Sequence, residues 1–336
     1  MRLGFAYDLR DDYLAEGFSH EETAEFDRLD TIEAIETALR GLGHRVERIG
    51  NVKALAKALV EGRRWDMVFN IAEGLRGIGR EAQVPALLDA YDLPYTFSDP
   101  LVMAMTLHKG VAKQVVRDRG VPTAPFRVIE RAEEADAVAL PFPLFIKPVA
   151  EGTGRGISGK SKVASKAELK RLAAEIIHTY RQPALVETFL SGREFTVGIV
   201  GEGRQAEALG TLEVTLLATA DRDAYGYLNK EEYDTRVGYR LVKDAMAKRA
   251  ATVALDAWRA LGCRDGGRVD LRADEHGMPH FLEVNPLAGL NPVRSDLPIL
   301  AGKVGISFER LIGLIMEAAT KRIFGAAESA RRGTGS

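Results

Sequence analysis

The residues whose types and spacing could do chemistry concentrate in one stretch, RVDLRADEHGMPHFLEVNPLAGLNPVRS, from Arg268 to Ser295. RVDLR and FLEVN alternate polar and apolar on either side of DEHGMP, the signature of an antiparallel hairpin with a tight turn. A turn centred between His276 and Gly277 sets Asp270 opposite Glu283 and Arg268 opposite Asn285. Side chains alternate across a strand, so all four leave the sheet on one face. Two carboxylates facing each other repel, by roughly 0.2–1 kcal/mol relative to a neutral pair, unless something positive lies over them. A divalent cation is the natural counter-charge. Asp270, Glu283 and Asn285 offer three hard oxygens of the kind Mg²⁺ (or Mn²⁺) accepts, with phosphate oxygens and water completing the shell. The alternative is a solvated face on which Arg268 simply neutralises Asp270. Past Asn285, the turn-rich PLAGLNPVRS carries Gly289, where backbone N–H groups could approach a reacting oxygen.

A second group surrounds a glycine-rich run. The apolar strand PLFIKPVA leads into EGTGRGISGK, residues 151–160. Lys147 lies inside that strand, and a buried lone ammonium is costly, so it needs an anion. The following SKVASKAELKRLAAEII reads as a strand edge and then a helix begun at Ser165, with Glu168 as its capping-box partner. The glycine loop therefore joins strand to strand. A P-loop or a dinucleotide fingerprint would need a helix directly after the glycines. A mobile glycine hairpin whose backbone N–H groups fold over polyphosphate, with Lys147 beneath, meets the requirement. Lys109 and Lys113 share a helix face at i,i+4 spacing, and Glu187 and Glu194 flank a turn at Ser191-Gly192.

The elements that must position these groups begin with a strand at 2–7 and a helix at 30–42. That helix is opened by an Asp30–Glu33 capping box and turns Ile32, Ile35, Leu39 and Leu42 inward. A strand at 45–49, a helix at 51–60 and a strand at 66–71 continue the alternation, which predicts a parallel, doubly wound sheet. Ligands sit beyond the carboxyl ends of such strands. The segments there are 8–26 and AEGLRGIGREAQVP (72–85), with Glu73, Arg80, Glu81 and Gln83; the alternative for these charges is an ordinary solvated helix start. Next come a short strand at 94–98, one long helix from Asp99 to Arg119, a strand at 125–129 and a helix at 131–138. A helix over 244–261 precedes the hairpin and another at 307–322 closes the fold. The domains expected are 1–100 (α/β), 101–184 (central, with the glycine-rich lid), 185–326 (C-terminal, with the metal site) and a disordered tail, 327–336.

A chain of 336 residues is long enough for two or three domains. The net charge of −2 and a pI near 6.4 advertise no nucleic acid and no anionic membrane. The single cysteine, Cys263, excludes an internal disulfide framework and a thiolate metal site. With no signal-like start and no run of about 18 apolar residues, a cytoplasmic protein is expected.

Taken jointly, several motifs resemble the ATP-grasp superfamily and, within it, the D-alanine–D-alanine ligases. They are FNIAEG, LPYTFSDPLVMAMTLHKGVAKQ, PLFIKP, EGTGRGI, LVETFLSGREFTVGI, YGYLNKEEYDT and RVDLRADEHGMPHFLEVN, spread over roughly residues 45–320. The resemblance implies an α/β (α+β) ATP-grasp fold with ATP held between two lobes. It implies that Asp270, Glu283 and Asn285 hold Mg²⁺ on the ATP phosphates, that Lys109, Lys147 and the loop residues Glu151, Gly152, Thr153, Gly154 and Gly156 contact or cover the phosphates, and that Glu187 and Glu194 bind adenine and ribose. Lys230 falls at the γ-phosphate. Arg268 and the Gly289 N–H would stabilise a tetrahedral intermediate, and Ser295 would hold the second substrate's carboxylate. The implied reaction is two-step, a carboxylate forming an acyl phosphate and an amine displacing phosphate from it, so small amino acids are the expected partners and a homodimer the expected assembly.

The departures from the family pattern lie in the amino-acid pocket. Glu73-Gly74 stands for a histidine-glycine pair, GREA (79–82) for Gly-Glu-Asp-Gly, Thr153 for a serine and Glu231 for a tyrosine. The N-terminal glutamate for the first amino group has only Asp8, Asp11 or Glu16 as candidates. D-alanyl-D-alanine, made for the cell wall, is the leading product. A different amino-acid or hydroxy-acid pair, with Glu73 and Arg80 as new substrate contacts, is the alternative, and a nucleotide-binding protein without ligase activity is a further one.

Overall fold

The computed structural model describes residues 1–216 and 237–333. Three sheets carry the described residues. β1 (Arg2–Ala6), β2 (Arg45–Gly50) and β3 (Met67–Asn70) pair in parallel in the order β2-β1-β3. β3 is buried along its whole length, as a strand covered on both faces must be. The strand expected at 94–98 reduces to a single bridge from Tyr95 to Val68.

β4 (Phe126–Ile129), β5 (Leu144–Pro148), β6 (Lys162–Val163) and β7 (Ala184–Thr188) form an antiparallel sheet in the order β4-β7-β5-β6. β5 pairs with β6 across the glycine run, which therefore joins strand to strand as expected. β8 (Glu194–Val200), β9 (Glu207–Leu216), β10 (Val237–Leu241), β11 (Gly266–Ala273) and β12 (Pro279–Asn285) form the third sheet, ordered β10-β9-β8-β11-β12. The Ser191-Gly192 turn is a crossing between the second and third sheets rather than a hairpin. Gly192 donates to the Ala273 carbonyl at 2.9 Å, and a Cβ there would stand 2.7 Å from that oxygen.

Several elements differ from expectation, each for a local reason. The long helix is two, Pro100–Leu107 and Lys109–Asp118, broken at His108, whose Nδ1 accepts the Val111 N–H at 3.1 Å and caps the second. The first long helix runs Leu29–Gly41 without a side-chain cap, because the Asp30 carboxylate turns to Arg294 at 2.6 Å; Leu42 is exposed instead of inward. Residues 132–137 form a 3₁₀ turn. Ser165 caps its helix through Glu168 N–H, but Glu168 answers Ala164 rather than Ser165. The last helix continues from Phe308 to Gly333, through most of the residues expected as tail.

The core of the parallel sheet is completed by the far end of the chain. Leu3, Phe5, Ile32, Ile35 and Phe69 pack with Leu287, Leu290, Leu297, Leu311 and Ile315. Arg322 fixes the same closure, pairing with Asp265 at 2.7 Å and donating to the Tyr95 carbonyl at 3.0 Å. Because of it, the loop after Asn285 lies against the N-terminal segments: Asn291 Nδ2 donates to Thr31 Oγ1 at 2.9 Å.

Candidate active site

The hairpin of β11 and β12 pairs Arg268 with Asn285 and Asp270 with Glu283, as expected, but for a more specific reason than turn position. Toward the turn the register is shifted by one, Leu271 facing Phe281. The loop is also longer than a two-residue turn: Asp274 and Met278 close it, with Gly277 left-handed at φ +77. An extra residue in β12, Leu282, restores the register, and without that bulge Asp270 would face an apolar side chain.

At this end the charges are interlocked. Arg268 is buried and ion-paired with Asp270, and its Nε lies 3.7 Å from Asp296. Burial works against its charge, but Asp270 and Asp296 lift its pKa above the ordinary arginine value. Asp270 also accepts a hydrogen bond from Thr196 Oγ1 at 2.8 Å. Lys109 Nζ sits 3.3 Å from Glu283 Oε2 and donates to the Glu151 carbonyl at 2.5 Å. The helix break at His108 puts Lys109 there, at the first position of its helix, with its N–H on the Val149 carbonyl.

Among the described residues no group of three or more His, Cys, Asp or Glu gathers as a self-sufficient metal site. Two carboxylates and an amide oxygen on one face fit a hard cation that takes its remaining ligands from phosphate and water. The buried amide nitrogen of Asn285, which lacks a partner among the described residues, is a donor suited to a phosphate oxygen.

Behind this lies a tight ionic group. Glu187 takes Lys113 Nζ on one oxygen and Lys147 Nζ on the other, each at 2.8 Å. Burial alone would raise the Glu187 pKa, yet the two ammoniums hold it at about 2. Lys147 ends above the usual lysine range, its burial outweighed by Glu187. A cavity of about 80 Å³ lies over Lys147 and Glu187, walled by Phe145, Ile157, Phe189 and Leu190 and reaching Gly154, Glu194 and Asp270. Glu194 lies 3.5 Å from Arg272, whose guanidinium stacks over Phe189.

A larger cavity, about 250 Å³, shares Lys109, Glu151 and Glu283 with the first and extends past Arg268 and Asn285 to Gly289 and Ser295. Ser295 Oγ accepts the Asn291 N–H at 3.0 Å, and a Cβ on residue 289 would stand 2.8 Å from that oxygen and displace the hydroxyl. Gly152 and Thr153 of the glycine loop also line it. Gly156 lines neither cavity: it packs against Pro148 and Tyr180, where a Cβ would clash.

Glu25, Asp27, Glu73 and Glu81 also line the larger cavity. Gly74, at φ +74, folds its loop so tightly that a Cβ would meet the Arg80 carbonyl at 2.7 Å, and this brings Glu73 beside Glu81. Burial and the neighbouring like charge push both carboxyls up, Glu81 to about 7. Asp27 is pushed up likewise, to about 7.

Two expectations are corrected here. Arg80 does not face the cavity as a carboxylate receptor, since its guanidinium is already committed to Glu25 at 2.6 Å and the Ala150 carbonyl at 2.9 Å. Asp8 is a scaffold acid, accepting the Gly74 N–H at 2.8 Å and the Tyr13 hydroxyl, while Asp11 and Glu16 are exposed. Lys230 and Glu231 lie outside the described residues.

Sequence reasoning named Glu81 in a segment where ligands sit but gave it no role, and it did not single out Glu25 or Asp27. Glu25 accepts the Gly152 N–H at 2.6 Å and so ties the segment after β1 to the glycine loop. The available signal was position, since both acidic segments follow strands of a parallel sheet.

Residues 115–317 match the family model described as the C-terminus of D-ala D-ala ligase. An uncharacterized protein of Sinorhizobium fredii, y4sG, is 32% identical over 87% of this chain and 88% of its own length. The D-alanine–D-alanine ligase of Aquifex aeolicus is 32% identical over 86% of this chain and 94% of its own. Among solved structures, the D-alanine–D-alanine ligase of Bacillus anthracis complexed with ATP superposes with a TM-score of 0.72 at 21% identity, covering 96% of this chain and 98% of that one.

Proposed function

We propose, on the premise that this chain belongs to the D-alanine–D-alanine ligase family, that it joins the carboxylate of one small amino acid to the amine of another using Mg²⁺-bound ATP. The observation that carries this reading is the opposed Asp270–Glu283 pair with Lys109 beside it, where the two cavities meet. Nucleotide would occupy the smaller cavity, its base between Phe189 and the glycine loop and its phosphates toward Lys147 and Lys109. Asp270, Glu283 and Asn285 would hold the cation, which screens the phosphate charge. An oxygen of the first substrate's carboxylate bonds to the γ-phosphorus as the bond to ADP breaks. The second substrate's amine nitrogen then bonds to the carbonyl carbon as phosphate leaves with that oxygen. Arg268 and the Gly289 N–H would carry the charge on the tetrahedral carbon, and Ser295 the second carboxylate. Catalysis of this kind is positioning and charge stabilisation, which is why no nucleophile is required of the chain.

D-alanyl-D-alanine, as a cell-wall precursor made in the cytoplasm by a homodimer, is the leading assignment. The acidic end of the larger cavity favours a second one, a pair whose ammonium is read by Glu73, Glu81 and Asp27 in place of the usual N-terminal glutamate. Purified protein with ATP, Mg²⁺ and D-alanine should release phosphate and form the dipeptide. Release with another amino acid but none with D-alanine replaces the substrate; no release with any member of a D-, L- and hydroxy-acid panel rejects the ligase assignment.

No helix among the described residues is long and apolar enough to cross a membrane.

A further inference from the structure

Among the described residues, Lys113 is a fully buried lysine beside the two cavities whose charge the reaction does not use directly. Its side chain has no exposed surface and lines neither cavity. It sits one turn after Lys109, between Glu187 Oε2 at 2.8 Å, the Phe281 carbonyl at 3.3 Å and the Phe126 ring at 5.5 Å. Lysines are almost never buried completely unless paired, and removing an ammonium from water costs several kcal/mol. Pairing alone does not account for this one, since Glu187 already has Lys147 on its other oxygen. One carboxylate held between two lysines is a group of net charge +1. With Lys147 alone it would be neutral, and Glu187 would cancel the charge that the smaller cavity presents to an anion.

We propose that Lys113 is a positioning residue that balances Glu187 from behind, so that Lys147 keeps a full positive charge for the nucleotide's phosphates. Its location serves that end. Of the three, only Lys147 and Glu187 border the smaller cavity. Lys113 reaches Glu187 from the helix Lys109–Asp118, where it neutralises without lining either cavity. The ionisation agrees: Glu187, at about 2, is anionic at neutral pH, and although burial lowers the Lys113 pKa, Glu187 opposes that fall. The inference rests on the reading of the smaller cavity as a nucleotide site.

Isothermal titration with Mg²⁺·ADP tests it in the wild type, Lys113→Met and the charge-keeping Lys113→Arg. Lys113→Met, which leaves Lys147 and Glu187 neutral together, should weaken binding about tenfold or more, the size of effect a lost charge gives in a semi-buried site. Lys113→Arg keeps the net charge of +1 and should bind within about threefold of the wild type, because the charge behind Glu187 is retained while the side chain is changed. A merely structural lysine would instead lower the melting temperature of Lys113→Met and leave affinity unchanged in the folded protein, which overturns the proposal. If Lys113→Met does not fold, Lys113→Arg decides alone, and a tenfold loss of affinity in that folded variant is equally contrary. Wild-type protein that binds no Mg²⁺·ADP rejects the nucleotide reading itself, a result distinct from equal binding by wild type and variant.

Discussion

The two ends of the joined cavities handle charge in opposite ways. Where β11, β12 and the helix at Lys109 meet, acids and bases interlock, Arg268 with Asp270, Lys109 with Glu283, and Lys113 and Lys147 with Glu187. Elsewhere in the lining of the larger cavity, Glu73 and Glu81 are buried like charges whose carboxyls are both pushed up, and the Arg80 guanidinium that acts on them is committed to Glu25 and a carbonyl. Paired charges are preorganised and keep their ionisation whether or not ligand is bound. Unmatched carboxyls hold protons until a cation arrives. The first arrangement suits a nucleotide that never changes, and the second suits a pocket that sets which amine is accepted.

The largest effect is expected at the paired end. Glu283→Ala should lower turnover by about 10³-fold or more while thermal unfolding stays cooperative, since it removes a ligand for the cation and strands Lys109. Comparable specific activity in the folded fraction would reduce Glu283 to a structural role. Arg268→Lys should come next, with kcat down roughly 10²-fold, because a point charge does not replace a fork donor facing developing negative charge. A near-normal kcat, measured as phosphate release, would remove Arg268 from the intermediate.

Glu73→Gln separates the two ends. It should raise the KM of the amino-acid substrate about tenfold, the worth of one charge-assisted hydrogen bond, and leave the KM of ATP unchanged. A shift in both constants together would dissolve the distinction between the ends.

The smallest effect is on stability. In the folded chain Glu81 keeps its proton up to about pH 7, whereas unfolded it titrates near 4.5. The folded state then binds more protons in that window, so the stability from this group is complete below about pH 4.5 and lost as the pH rises through 7. Glu81→Gln stays neutral throughout. Its melting temperature should therefore fall less than the wild type's between pH 5 and pH 8, by roughly 3 °C, and parallel curves would show that the carboxyl is ionised already.

The same contrast governs what could be read from the sequence. Alternation in RVDLR and FLEVN placed Asp270 opposite Glu283, and a lysine in an apolar strand before a glycine run announced an ionic partner. Such signals are local, set by strand period and by the cost of burying charge. Even there the correct register at Asp270 depended on two compensating features, the longer loop and the bulge at Leu282, that alternation cannot reveal. The break at His108 was likewise hidden, because an unbroken helical pattern continues through it and the capping histidine reads as one more polar residue. The acidic end was legible only as two loops after parallel strands. Which of their acids enter the cavity depends on the Arg80–Glu25–Gly152 connection, formed by residues 55 to 127 positions apart.

Affinity for a non-hydrolysable Mg²⁺·ATP analogue, measured by calorimetry in the wild type, Glu283→Ala and Glu73→Gln, tests the division of labour most directly. Wild type and Glu73→Gln should bind alike, within about threefold, while Glu283→Ala loses at least about tenfold, more than 1.4 kcal/mol. Equal losses in both variants, or none in Glu283→Ala, would contradict a nucleotide held at the paired end and an amino acid read at the acidic one.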